Sequence, residues 1–270
     1  MLKIDRNLLD IGMMDTLAMG DSPLHRLDPR AKLIATMAFI VSVVSFGKYE
    51  LTALLPFFAY PLIQVTAGGL PPSYLARKVL IVSPFALFVG MFNPLMDRDI
   101  LVTIGDVGIS GGWISFVSIL LRFTLTVSAA LVLISLTGFN SVCSALEKLR
   151  VPRTFVVQLL FLYRYIFVLV EEAARMSRAR ALRSFDSRGM GFKPFVSLLG
   201  NLLLRTLDRA QRIHTAMCCR GFDGHVPALR PMRFGAADLR HVLFWTALFA
   251  ALRFYNPPLL LGLWITGLFR

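Results

Sequence analysis

Charge is scarce in this chain, and negative charge scarcer still: 17% of the 270 residues are charged, and 16 Asp and Glu stand against 29 Lys and Arg. Soluble domains carry roughly a quarter of their residues as charges, so an ordinary soluble domain is excluded. Cysteine occurs three times, as Cys143, Cys218 and Cys219. Two of these are adjacent, which rules out a disulfide framework and suits a reducing, cytosolic face. The four histidines, His25, His214, His225 and His241, lack the spacing of a metal-ligand set, and neighbouring Cys218 and Cys219 diverge on a helix. No metal or cofactor is therefore expected. The G-x-x-x-x-G-K-[ST] loop is missing too, so the chain itself is not expected to bind ATP. Its first residues, MLKIDRNLLDIGMMD, have no continuous apolar core and read as a short lead-in on the cytosolic face, not a cleavable signal.

What remains is oil. Hydrophobic residues make up 56% of the chain and the mean hydropathy is +0.66, which marks an integral membrane protein. The net charge of +13 could indicate a nucleic-acid binder, but here the basic residues lie between apolar blocks. The preference of Lys and Arg for the cytosolic side explains them more simply. Four spans are expected at 31–46, 51–67, 79–92 and 113–137. Asp28 caps the first with Pro29 at its first helical position, and Pro56 and Pro61 interrupt the second. An external loop separates the third and fourth, with a small hairpin about Gly105 and Asp106. Arg122, inside the fourth span, costs about 2.5–3.5 kcal/mol at mid-membrane and should snorkel or face a partner.

More than half of the Lys and Arg fall between residues 148 and 240, a block that must stay in the cytosol. Four spans from a cytosolic N-terminus place it there, provided that 154–170 is buried in protein or dips into the membrane without crossing. The expected fold is an all-α integral membrane protein of about five transmembrane helices plus a cytosolic helical domain with two long Arg-tipped helices. Its divisions are a membrane domain at 1–137, the cytosolic domain at 138–240, and a last membrane segment at 241–270, read as one span kinked at Asn256-Pro257-Pro258, with two half-length segments meeting there as the alternative.

The cytosolic block contains a repeat. ALRSFD at 181–186 returns as CCRGFD at 218–223. Counting upstream from Arg183 and Arg220, an acid (Glu171, Asp208), Ala173 or Ala210, Arg175 or Arg212, and Ala179 or Ala216 recur at the same offset. Arg, Ala and Arg at i, i+4 and i+8 form one stripe of a helix, whose small centre lets another surface approach. The flanking guanidiniums can grip carboxylates or carbonyls bidentately. Gly221 is placed to end its helix in the left-handed conformation, with Phe222 folding back toward Met217; Ser184 ends the first copy less readily. Asp186 and Asp223 can hold the neighbouring Arg. Anionic lipid headgroups need positive charge but have no use for a repeated Ala spacing, so a protein partner with two equivalent contact sites is expected.

Over nearly its whole length, through SPLHRLDPRAKL, LEKLRVP, FLYRYIFVLVEEAARMSRARALRS and LDRAQRIHTAMCCRGFDG, the sequence resembles the transmembrane T component of energy-coupling factor (ECF) transporters, in the cobalt or nickel branch called CbiQ. The family's pair of Ala-Arg-Gly-like triplets corresponds to Leu182-Arg183-Ser184 and Cys219-Arg220-Gly221, with Arg kept twice and Ala replaced twice. The resemblance implies a non-catalytic scaffold in the cell membrane, without cofactor. It would join a small substrate-binding membrane subunit to two cytosolic ATP-binding subunits, one coupling helix docking into each. The implied docking residues are Arg175, Ala179, Arg183, Ser184 and Asp186 in the first copy, and Arg212, Ala216, Arg220, Gly221 and Asp223 in the second.

Two other classes fare worse. An enzyme would need more than Tyr163-Arg164-Tyr165 with Glu171-Glu172, or Asp97-Arg98-Asp99: no nucleophile stands at a meaningful distance from a base, and Glu171 and Glu172 are better placed to pair with Arg175. A self-sufficient channel or secondary transporter would carry ionisable residues in several spans, whereas these spans hold little charge besides Arg122.

Overall fold

The computed structural model describes residues 12–96, 100–104, 107–183, 191–224, 226 and 234–255. Helices dominate: α1 (residues 12–17), α2 (Pro29–Val44), α3 (Leu51–Leu54) with a 3-10 turn (Leu55–Phe58), α4 (Ala59–Gly68), α5 (Pro72–Gly90), α6 (Asn93–Met96), α7 (Gly111–Thr137), α8 (Phe139–Lys148), α9 (Arg153–Arg183), α10 (Phe192–Cys219) and α11 (Ala236–Tyr255). Between α6 and α7, β1 (Ile100–Ile104) pairs antiparallel with β2 (Val107–Ser110), Ile104 opposite Val107. The antiparallel pair answers to the expected hairpin, whose Gly105 and Asp106 lie outside the described residues. The chain divides into two compact units, one of residues 15–138 and 232–270, the other of residues 1–14 and 139–231.

In the first unit α2 starts as its sequence dictates: Asp28 accepts the Arg30 N–H at 2.9 Å and Pro29 occupies the first turn. Its apolar face meets α7, α11 and the α3–α4 segment in one core. Phe39 stacks on Tyr60 and touches Phe57 and Phe249, with Leu54, Leu125, Ala129 and Trp245 completing the cluster. The Tyr60 hydroxyl is buried but shares a hydrogen bond with Thr36 at 3.0 Å, so its polar end is not left unpaired. Pro56 leaves its mark as the 3-10 turn between α3 and α4, because proline cannot donate into an α-helical ladder.

Arg122 solves its problem locally. It donates to the Gly47 carbonyl in the loop after α2, while Arg253 of α11 donates to the Ser45 carbonyl at 3.1 Å and lies over the Phe46 ring. Two carbonyls just past the end of α2 thus receive guanidiniums from two other helices.

Four helical stretches are long and apolar enough to cross a membrane: Leu51–Gly68, Pro72–Gly90, Gly111–Thr137 and Arg153–Arg183. Three of these coincide with expected spans. α2 has only 16 residues, about 24 Å of helix, and falls short of the length, while α9 meets both criteria although 154–170 is expected not to cross. The reason is legible: between Arg153 and Glu171 Arg164 is the only charged residue in a mostly apolar run. The expected kink at Asn256-Pro257-Pro258 and the acid pair Asp97 and Asp99 lie outside the described residues.

In the second unit α8 packs on α9, with Phe139 stacked on Tyr163 at 4.3 Å and Cys143 and Ala145 buried. Burial pushes the Cys143 thiol up to about 11, so it remains a protonated packing group at neutral pH.

Candidate functional site

α9 runs to Arg183 and α10 to Cys219, so each copy of the repeat closes a long helix. The two helices touch where Glu172 accepts from Arg205 at 2.8 Å. Arg183 lies eleven residues beyond Glu172 and Arg220 fifteen beyond Arg205, about 16 Å and 22 Å along the respective axes. Both guanidiniums therefore sit far out on their helices, beyond the point that ties the pair together.

The end of α10 is fixed by its backbone. Gly221 adopts φ 79°, a conformation that costs a residue with a Cβ about 1–2 kcal/mol. From there its N–H reaches the Cys218 carbonyl at 3.0 Å and the Phe222 N–H reaches Met217 at 3.0 Å. These are the two bonds of a Schellman cap, and they place Arg220 as the capping residue. A cation there faces the negative end of the helix dipole. Gly221→Ala is expected to weaken this cap by about 1–2 kcal/mol, seen as several-fold faster hydrogen exchange at Phe222 with exchange in the middle of α10 unchanged.

The stripe on α10 borders a shallow open hollow lined by Asp208, Gln211, Arg212, Thr215, Ala216 and Cys219. All six lie on one face of the helix at steps of three or four. Ala216 leaves the room and Arg212 and Asp208 supply the charge. Gln211 and Thr215 carry no charge and do not recur in the first copy, so the repeat alone does not single them out.

On α9 the polar groups are already partly committed. Arg175 pairs with Glu171 at 3.2 Å and lies 3.8 Å from Glu172, the expected pairing on one helix. Glu172 also reaches across to α10, a bridge between elements far apart in sequence. Ala179 and Arg183 are exposed. Among the described residues Arg183, Arg212 and Arg220 form no ion pair. Ser184 and Asp186 lie outside the described residues, and Asp223 lies beyond the cap of α10. His214 and Cys218 approach to 3.7 Å on α10, and among the described residues no three His, Cys, Asp or Glu side chains gather as metal ligands.

The arrangement is one for gripping. Two exposed guanidinium-bearing helix ends, one of them capped beside a hollow with Ala216 at its floor, offer bidentate donors.

The sequence is 28% identical over 247 residues to an uncharacterized protein of Methanocaldococcus jannaschii, covering 88% of this chain and 84% of that one. It is 28% identical over 232 residues to the energy-coupling factor transporter transmembrane protein EcfT of Bacillus subtilis, covering 78% and 87%. With EcfT of Listeria innocua it shares 27% identity over 256 residues, covering 84% and 94%. The profile of the family described as CbiQ, cobalt transport protein, matches residues 20–230. The chain therefore belongs to the CbiQ family of transporter membrane components.

Proposed function

We propose that this chain is the non-catalytic transmembrane scaffold of an ECF-type importer, joining two cytosolic ATP-binding subunits to a small substrate-binding membrane subunit that carries a cobalt or nickel ion. The observation that carries the reading is the pair of exposed Arg-ended helices, with the Glu172–Arg205 bridge between them lying well behind their tips. Each tip docks into one ATPase, and closure of the ATPase pair on ATP draws the helices with it. In this reading residues 1–137 and 241–270 lie in the membrane and 138–240 form the coupling domain on the cytosolic side, which the crowding of Lys and Arg between 148 and 240 supports. Cargo recognition belongs to the substrate-binding subunit.

The test is capture. With this chain tagged, expressed with its chromosomal neighbours and solubilised in mild detergent, two ATPase copies and one small apolar protein are expected to co-purify. Recovery of the chain alone, with ion flux through it in vesicles, would instead establish a self-sufficient transporter.

A further inference from the structure

The buried ammonium at the start of α2, that of Lys32, does not serve its own helix. It is 6% exposed and donates to the Leu136 carbonyl at 3.0 Å and the His25 carbonyl at 3.3 Å. Leu136 lies in the last turn of α7, where carbonyls have no partner within the helix and the dipole is negative. The carboxylates whose charge acts on Lys32 are those of Asp238 and Asp28. Asp238 is 6% exposed; it accepts the Asp28 N–H at 2.7 Å through one oxygen and the Gly235 N–H at 2.8 Å through the other. One buried carboxylate thus caps α11 and clamps the residue that caps α2, while the ammonium caps α7. Two positive helix poles and one negative pole meet with matching side-chain charges.

Two residues after Leu136 the chain leaves this unit. Gly138 still donates to Ile134 at 2.8 Å, adopts φ 75°, and is followed at once by α8 at Phe139. A Cβ on Gly138 would stand 3.3 Å from the Ala18 Cβ and in an unfavourable backbone region. A single residue therefore joins the longest helix of one unit to the first complete helix of the other. Any swing of α8 must be taken up either at Gly138 or by loosening the last turn of α7.

We propose that Lys32, Asp28 and Asp238 are positioning residues that form the fixed side of a hinge at Gly138, holding the end of α7 rigid so that motion of the coupling helices is transmitted rather than absorbed. Apolar side chains would hold these helices together with less desolvation; buried ions bonded to backbone groups hold them in one geometry. The proposal rests on the transport reading for the source of the force, but not for the existence of the hinge.

The experiment uses spin labels at Asp21→Cys and Leu149→Cys, both exposed positions, with Cys143, Cys218 and Cys219 replaced by Ser. The full chain is reconstituted with its co-expressed ATPases, and label distances are measured with ADP and with vanadate-trapped ATP. The parent protein should give a narrow distribution that shifts between the two states. Lys32→Met should broaden it at least twofold in both states, and Lys32→Arg should restore most of the sharpness. Gly138→Ala should keep the distribution narrow but abolish the shift. Unchanged width in Lys32→Met, or an unchanged shift in Gly138→Ala, overturns the proposal. If Lys32→Met is not monodisperse, Asp238→Asn is read in its place, with the same broadening expected and unchanged width decisive against. If the parent chain captures no ATPase, the transport reading fails, while the widths in the chain alone still decide the anchor.

Discussion

Replacing Arg183 and Arg220 together by Ala is expected to remove the ATP-binding subunits from the solubilised complex, while either replacement alone leaves weakened but detectable association. An interface arginine that acts as a hot spot contributes 2 kcal/mol or more, roughly a thirty-fold loss in affinity. Two docking points on one scaffold also assist each other, since the second engagement takes place at the high local concentration created by the first. Loss of one point therefore removes that advantage as well, and loss of both leaves nothing to hold the motors. The measurement is the ratio of ATPase to tagged chain on affinity beads. Arg→Lys at the same positions should rescue only in part, because a point charge replaces a planar fork. Neither residue forms an ion pair among the described residues and both are exposed, so the thermal midpoint of the isolated chain should hardly move. A normal ratio in the double variant would end the docking assignment.

What could be read from sequence was whatever is local. Asp28-Pro29 announces the start of α2, and the cap is there at 2.9 Å. Gly221-Phe222 announces the end of α10, and both bonds of the cap form. Glu171 and Arg175, four apart on a helix, pair as spacing requires. The expected hairpin is there as the antiparallel pair β1 and β2. What could not be read is set by contacts distant in the chain. Arg122 was seen to need a partner, but the Gly47 carbonyl that serves it lies on another helix's exit loop. Glu172 looked committed to its own helix, yet its second oxygen-bearing role is the bridge to Arg205. Asp238 offered no signal at all: an acid in the first turn of a helix is common, and only folding brings it to the backbone of Asp28.

Asp238→Ala is expected to be the most destabilising single change in the first unit. The substitution removes the acceptor of two backbone N–H groups, those of Asp28 and Gly235, and takes from buried Lys32 one of its two compensating carboxylates. Breaking a buried, hydrogen-bonded charge arrangement by deleting one member costs about 3–5 kcal/mol, here because the ammonium left behind is buried with Asp28 as its one remaining compensating carboxylate. For a chain of this size the thermal midpoint in detergent should fall on the order of 10 °C. Asp238→Asn separates the contributions. Its oxygen can still accept from Asp28, but its amide faces the Gly235 N–H as a second donor and its charge is gone, so an intermediate loss is expected. Asp238→Ala combined with Lys32→Met removes both opposite charges; if the penalty is mainly an unpaired buried ammonium, the double variant should be more stable than Asp238→Ala alone. Simple addition of the two single losses would instead locate the penalty in the backbone bonds, and the last turn of α7 would then owe its position to packing with Leu70, Leu75 and Val132 rather than to charge.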